Sequence, residues 1–117
     1  MNFILTTHNV TLTKAIEDHI LVRLRKLEHF DNHVINARVS LDHDHRRTPE
    51  RAFKCSMQLT MRGPDLYAGD AESDLYAAID LVTKKIEQQI RKRHNKRKAV
   101  KHTDAARLKS RRQESVN

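Results

Sequence analysis

The chain has 117 residues, of which 38% are hydrophobic, and this size suits one domain with one modest core. Its single cysteine excludes an internal disulfide and is typical of a reducing compartment. The sequence shows neither a leader-like start nor a run of about 18 apolar residues, the length that suggests a membrane helix. We therefore expect a cytoplasmic protein without a membrane partner.

Charge is distributed unevenly along the chain. The formal net charge is +8, but residues 1–83 carry ten Lys and Arg against twelve Asp and Glu, whereas residues 84–117 carry thirteen against three. Concentrated positive charge favours a polyanion, because each neutralised phosphate releases condensed counterions. Nucleic acid is the first candidate. An anionic membrane surface is the alternative, but the apolar side of the basic segment is needed for the core and offers no Trp or Phe anchor.

The first part of the chain predicts a strand, a helix and a second strand. Residues 2–8 alternate in polarity as a strand does. A helix is predicted from a cap at Thr13 to about Phe30, because four apolar residues recur at helical spacing. These residues are Ile16, Ile20, Leu24 and Leu27. Alternation then predicts a half-buried strand over residues 34–43.

Two further strands follow a charged segment, residues 44–50, that is predicted to be a mobile loop. The next strand alternates between outward polar residues and an inward apolar set. That inward set is Phe53, Cys55, Met57, Leu59 and Met61. Gly-Pro-Asp at 63–65 predicts a tight turn, and residues 66–71 predict a short final strand.

A long second helix is predicted over residues 73–98. Ser73 is a suitable cap, and five apolar residues form one stripe along the helix. The stripe consists of Leu75, Ile79, Val82, Ile86 and Ile90. Arg93 and Arg97 then occupy positions where the stripe would continue, so the last turns are expected to project from the body. Residues 99–117 have many charges and no apolar period, which predicts a disordered basic tail.

The element order β-α-β-β-β-α predicts an α+β fold. The first helix is a crossover between strands that can pair in parallel, and the next two connections are hairpins. A four-stranded mixed sheet with both helices packed on one face buries every apolar side, an architecture that resembles a double-stranded RNA-binding domain. We expect residues 1–98 to form this domain and residues 99–117 to form a flexible basic tail.

Three segments carry a resemblance to a known family. The first is 9–16, Asn-Val-Thr-Leu-Thr-Lys-Ala-Ile, and the second is 23–28, Arg-Leu-Arg-Lys-Leu-Glu. The third and most specific is 74–80, Asp-Leu-Tyr-Ala-Ala-Ile-Asp, which continues to Lys-Ile-Glu-Gln-Gln-Ile at 85–90. Together they resemble the ribosome hibernation factors, the family of the ribosome-associated inhibitor and sigma-54 modulation protein. The short basic tail favours the short hibernation-promoting form.

The resemblance implies a translation inhibitor whose partners are the small ribosomal subunit, its ribosomal RNA and the whole ribosome. Such a protein occupies the decoding region, excludes transfer and messenger RNA, and promotes hibernation of ribosomes, through their dimerisation, in stationary phase or stress. Relatives of the short form act with ribosome modulation factor. The resemblance implies no cofactor, and we expect a monomer away from the ribosome.

The polar side of the second helix supplies most candidate RNA-binding residues. Opposite the apolar stripe lie Lys84, Lys85, Gln88, Arg91, Lys92 and Lys96. Carried over by position, the family's RNA contacts imply this role for Arg23, Lys26, Lys85, Lys92 and Lys96. Arg91 joins them on helical geometry alone. Gln88 stands where many relatives have Arg. Its uncharged side chain is therefore expected to contribute no more than a hydrogen bond to RNA.

Other interpretations of the sequence stay open. Asp42, His43, Asp44 and His45 could begin a metal site, completed by His33 or His8, although no further ligand follows at a suitable spacing. No nucleophile motif, carboxylate pair or phosphate-binding glycine loop indicates an enzyme. Base stacking is not expected, because the aromatic residues fall mostly at inward or helix-packing positions. A general double-stranded RNA-binding or chaperone module is the alternative function.

Overall fold

A computed structural model describes the backbone of residues 2–31 and 33–116 and, within these ranges, the side chains as far as Lys96. One mixed sheet has its strands in the order β1-β2-β3-β4. These strands are β1 (Asn2–His8), β2 (Val34–His43), β3 (Phe53–Met61) and β4 (Leu66–Glu72). β1 pairs with β2 in parallel, and the other two pairs are antiparallel. The predicted four-stranded mixed sheet is confirmed.

The two helices begin at different kinds of cap. Helix α1 (Lys14–Phe30) follows Thr13, whose side-chain oxygen accepts a hydrogen bond from the N–H of Ile16 at 3.2 Å, as predicted. Helix α2 (Leu75–Val116) is capped by Asp74, whose Oδ2 accepts from the N–H of Ala77 at 3.1 Å. The predicted cap at Ser73 is therefore wrong by one residue, because Asp74 directly precedes the first helical residue.

Both helices cover the same face of the sheet. The apolar stripes of α1 and α2 meet the inward side chains of the strands in one continuous core. Ile20, Leu24, Ile79, Val82 and Ile86 are completely buried there. Helix α2 packs over β3 and β4, and α1 lies beside α2. The other face of the sheet is not covered by any element in the described part of the chain.

The loop after β2 contains a regular turn, and its predicted mobility stays a prediction. It contains a short 3-10 turn at Pro49–Arg51, and the N–H of Asp44 donates to the carbonyl oxygen of Ala52 at 2.8 Å. Gly63 in the β3–β4 turn has φ +100°, a conformation that favours glycine.

Contact between α2 and the body continues for one turn past the end of the apolar stripe. Arg93 Nη2 donates to the carbonyl oxygen of Pro64 at 2.7 Å, and His94 Nε2 lies 3.2 Å from Oδ2 of Asp31. Polar anchors therefore replace apolar packing after Ile90, where the helix was expected to leave the body. The helical backbone extends to Val116, past the predicted end of the helix at residue 98. The predicted disorder of residues 99–117 concerns mobility and stays a prediction.

Candidate nucleic-acid interface

Side chains of α1 and α2 line an open groove of about 320 Å³ on the helical side of the molecule. Its lining residues are Arg23, Lys26, Asp80, Thr83, Lys84, Glu87, Gln88 and Arg91. Thr83 is buried at its base, where the hydroxyl donates to the carbonyl oxygen of Ile79 at 2.8 Å. The groove therefore combines four cationic side chains with two carboxylates. We call it the helical groove.

Asp80 fixes one end of the helical groove. Its Oδ1 accepts hydrogen bonds from Nε of Arg23 and from Nε2 of His19, both at 2.8 Å. The ring of Tyr76 packs edge-on against the ring of His19, with the centroids 5.1 Å apart. A carboxylate on α2 thus holds a cation and an imidazole of α1, and the Tyr76 ring supports the imidazole.

Glu87 organises the other end of the groove. Its side chain is only 15% exposed, and its Oε1 accepts a hydrogen bond from Nη2 of Arg91 at 2.7 Å. Nζ of Lys26 lies 4.0 Å from Oε2 of the same carboxylate. The guanidinium of Arg91 also lies over the ring of Phe30, 5.4 Å from its centroid. Glu87 and Phe30 together hold Arg91 across the groove.

These ion pairs position the cations more than they stabilise the fold. The Arg23, Lys26 and Arg91 side chains are 35%, 54% and 62% exposed, and ion pairs in such settings contribute about 0 to 1 kcal/mol each. An Arg held by one edge still presents donors to a phosphate, which it can bind with two parallel hydrogen bonds. Arranged on two rigid helices, the groove can bind the backbone of a nucleic acid.

The structure brings together five of the eight predicted RNA-binding residues. Arg23, Lys26, Lys84, Gln88 and Arg91 all line the helical groove. Lys92 and Lys96 are exposed further along α2 and lie outside the groove lining. Their predicted contacts to RNA stay predictions.

Lys85 does not belong to the helical groove. It faces the opposite flank of α2, where its ammonium group hydrogen-bonds to Oδ2 of Asp70 on β4. On the same flank, Nε2 of Gln89 donates to the carbonyl oxygen of Tyr67 at 2.8 Å. The prediction that Lys85 shares one ridge with Lys84 and Arg91 is wrong, because α1 and β4 flank α2 on different sides and Lys85 points to β4.

Asp70 is the centre of a second ionic cluster. Nη2 of Arg51 lies 3.2 Å from its Oδ1, and the Lys85 ammonium binds its Oδ2. The hydrogen bond from Lys85, followed by the bond from the N–H of Ala71, lowers the pKa of the Asp70 carboxyl below its ordinary value. Asp70 therefore stays ionised and ties both the 3-10 turn and α2 to the edge of the sheet.

Sequence reasoning missed the two carboxylates of the groove. Asp80 and Glu87 are seven residues apart, which places them on one face of a helix about two turns apart. Lys84 lies between them on nearly the same face, so an alternation of charge was present in the sequence. What the sequence lacked was the position of α1, which decides that this face meets Arg23 and Lys26.

The histidines that suggested a metal site make other contacts. Nδ1 of His8 lies 2.9 Å from Oδ1 of Asp42, and the ring of His43 stacks on Phe53 with centroids 4.2 Å apart. His33 lies before the start of β2, at the opposite end from His43, and binds Asp31. Among residues 2–31 and 33–96, no three His, Cys, Asp or Glu side chains are grouped to hold a metal ion.

Cys55 and Tyr67 lie on opposite faces of the sheet. Cys55 is completely buried, as predicted, and burial raises the pKa of its thiol to about 12. Tyr67 is 60% exposed on the open face, so the description of the aromatic residues as mostly inward is wrong for this residue. Its neighbours Leu66 and Ala68 point inward, and the alternation of β4 could have predicted this.

Two helices on one face of a mixed β-α-β-β-β-α sheet define a class of α+β folds known from solved structures. The chain is similar to the Thermus thermophilus Protein Y N-terminal domain, with TM-score 0.69 and 26% identity over 79% of this chain and 98% of that one. A ribosomal subunit interface protein from Coxiella burnetii shares the fold at TM-score 0.70 and 17% identity, over 81% of this chain and 99% of that one. No helix within the described residues is long and apolar enough to cross a membrane.

Residues 3–98 match the family described as Sigma 54 modulation protein / S30EA ribosomal protein, and the chain belongs to this family. Two relatives are named ribosome hibernation promotion factor. The Bacillus subtilis (strain 168) protein is 32% identical over 96 residues, which cover 82% of this chain and 50% of the relative. The Staphylococcus aureus (strain COL) protein is 36% identical over 85 residues, which cover 72% of this chain and 43% of that relative. The chain matches about half the length of these relatives.

Proposed function

We propose that this chain is a non-enzymatic ribosome-binding protein that inhibits translation during hibernation. It acts in the cytoplasm on the small ribosomal subunit, alone or in the whole ribosome. Membership of the S30EA family and likeness to proteins named ribosome hibernation promotion factor support the proposal. The single observation that carries it is the helical groove, in which cations from two helices face one open channel.

The arrangement of charge suits a structured RNA backbone. Arg23 and Lys26 on α1 face Lys84 and Arg91 on α2, so phosphates can be bound from two sides. Asp80 and Glu87 hold three of these cations before any ligand arrives, which reduces the entropy lost on binding. Phosphate contacts fix position and orientation and carry little sequence information. The groove is therefore suited to a site defined by RNA shape.

The inhibitory mechanism in this proposal is steric. Bound in the decoding region, the domain of residues 1–98 occupies space that transfer and messenger RNA need. Lys92 and Lys96 extend the contact along α2, and the basic segment 99–117 adds further charge for ribosomal RNA. The chain acts as a monomer before it binds. Ribosome modulation factor is the proposed protein partner for forming ribosome dimers.

Co-sedimentation of the full chain with separated subunits, whole ribosomes and a generic RNA duplex tests this function. At physiological salt, we expect saturable binding to the small subunit and to whole ribosomes, with far weaker binding to the duplex. Transfer RNA added as a competitor should displace the chain if both need the decoding region. Equal affinity for the duplex and the small subunit would instead identify a general double-stranded RNA-binding module.

A further inference from the structure

The uncovered face of the sheet has a trough that crosses all four strands. Three successive cross-strand rows form it, as the register of the strand pairs shows. The first row is a wall of large side chains, Ile4, Arg38, Gln58 and Tyr67. The second row is a floor of small residues, Thr6, Ser40, Ser56 and Gly69. The third row is His8, Asp42, Lys54 and Ala71.

The side chains of the floor are small, and most of them are polar. Thr6, Ser40 and Ser56 place three hydroxyl groups side by side, and Gly69 ends the row without a side chain. Four strands about 4.8 Å apart make the row roughly 14 Å long. Two depressions lie over the face, one of about 400 Å³ towards β1 and one of about 240 Å³ at the β4 edge. Tyr67 lines both depressions.

Tyr67 is an aromatic platform at the β4 end of the trough. Its side chain leans along the strand over Gly69, because a Cβ added to Gly69 would lie 3.1 Å from the Tyr67 hydroxyl. The residue is 60% exposed, and Ile4 at the far end of the same row is 49% exposed. Large aromatic and aliphatic side chains so exposed on a sheet offer a surface on which a planar ring can stack.

The charges around the trough favour an anion. Arg38 lies in the first wall, Lys54 in the third row, and Arg47 and Arg51 beside the β4 end. The two carboxylates at its border are already bound, Asp42 by His8 at 2.9 Å and Asp70 by Arg51 and Lys85. The trough therefore combines cations for phosphates, hydroxyls for polar edges and a tyrosine ring.

We propose that this trough binds a short single-stranded RNA segment, with a base stacked on Tyr67 and phosphates bound by Arg38, Lys54 and Arg51. The helical groove lies on the opposite side of the sheet, so one molecule can hold two RNA segments at once. The inference does not depend on the proposed inhibition of ribosomes, because it rests on a separate surface with separate residues.

Fluorescence anisotropy of a labelled oligouridine of about ten nucleotides, a length within the range of known single-strand sites, tests the proposal on the full chain. Tyr67→Ala should weaken binding about tenfold, in line with the loss of one stacked base, while Tyr67→Phe should bind as the parent does. Arg38→Ala with Lys54→Ala should weaken binding and lower the salt slope by about one to two. An NMR titration should shift the amide signals of Thr6, Ser40, Ser56 and Gly69.

Matched controls distinguish this surface from the helical groove. Arg25→Ala, at an exposed position on α1 outside the lining of the helical groove, should leave oligouridine affinity unchanged. Replacing Arg23, Lys26 and Arg91 by Ala should impair binding to the small subunit but leave the trough amide shifts in place. Unchanged affinity in Tyr67→Ala, or shifts confined to α1 and α2, would overturn the proposal. Equal binding of a polyglutamate peptide would also overturn it, since charge alone would then explain the affinity.

Discussion

His94 of α2 lies 3.2 Å from Oδ2 of Asp31, the residue that ends α1. The N–H and Nδ1 of His33 bind the other oxygen of Asp31, both at 2.9 Å. Burial alone would raise the pKa of the Asp31 carboxyl, but the hydrogen bonds from His33 and His94 outweigh it and lower the pKa. One carboxylate, whose side chain is 2% exposed, therefore joins α1, the start of β2 and α2.

Asp31→Asn should lower the free energy of unfolding by about 1 to 3 kcal/mol at pH 7, because the donors of His33 and His94 lose a charged acceptor that is itself buried. The folded pKa is lowered, so the stabilisation is complete above the ordinary value of 3.8 and disappears as the pH falls through the folded value. Urea unfolding at pH 7 and at progressively lower pH measures this difference. Asp18→Asn, an exposed change on α1, is the control, and a difference that persists unchanged below the folded pKa would contradict the account.

The helical groove predicts a specific change in salt dependence. Replacement of Arg23, Lys26 and Arg91 by Ala should weaken binding to the small subunit and reduce the slope of log K against log salt by about two to three. The three cations are part of the groove lining, and their removal leaves the core residues in place. Filter binding at several salt concentrations measures both quantities.

The matched control for the groove variant is the replacement of Lys14, Arg25 and Arg62 by Ala. It removes the same charge from exposed positions outside the groove. The control should retain most of the affinity. If both variants lose affinity equally, net charge rather than the groove determines binding.

The core makes a prediction about stability alone. Ile86 is completely buried between α2 and the sheet, and Ile86→Ala should cost about 2 to 5 kcal/mol by leaving a cavity. Val22→Ala, at a residue 59% exposed on α1, should change stability by less than about 0.5 kcal/mol. Thermal or urea unfolding compares the two. Equal losses would mean that α2 does not pack on the sheet as described.

Cys55 should be unreactive in the folded protein. The thiol is completely buried and its pKa is raised to about 12, so the reactive thiolate is scarce at neutral pH. A thiol reagent should modify the native chain far more slowly than the urea-unfolded chain. Rapid modification under native conditions would show that β3 opens readily from the core.

The elements were predictable because each has a clear period. The alternation of β2 and β3 and the stripe of α2 follow directly from burial on one face, and the structure places those residues inward. It was harder to predict on which flank of α2 each cation lies. Lys84 and Lys85 are neighbours in sequence, yet one lines the helical groove and the other binds Asp70. Tertiary packing determines which flank of α2 meets α1, and helical periodicity alone does not predict it.

The remaining errors had different causes. Ser73 and Asp74 are both good cap residues, so the choice depended on where the helical backbone begins. The alternation of β4 indicates that Tyr67 is exposed, because Leu66 and Ala68 on either side of it are buried. The prediction placed Tyr67 inward because large aromatic residues are often buried.

Site-directed cross-linking tests the central claim most directly. Cys55 is the single cysteine of the sequence and is buried, so Gln88→Cys creates one accessible thiol in the helical groove. A photo-activated reagent attached there should cross-link to ribosomal RNA of the small subunit, and transfer RNA should prevent the reaction. The same reagent at Glu17→Cys, an exposed position on α1 outside the groove lining, should give a different and weaker pattern. Equal cross-linking from both positions, unaffected by transfer RNA, would contradict binding through the helical groove.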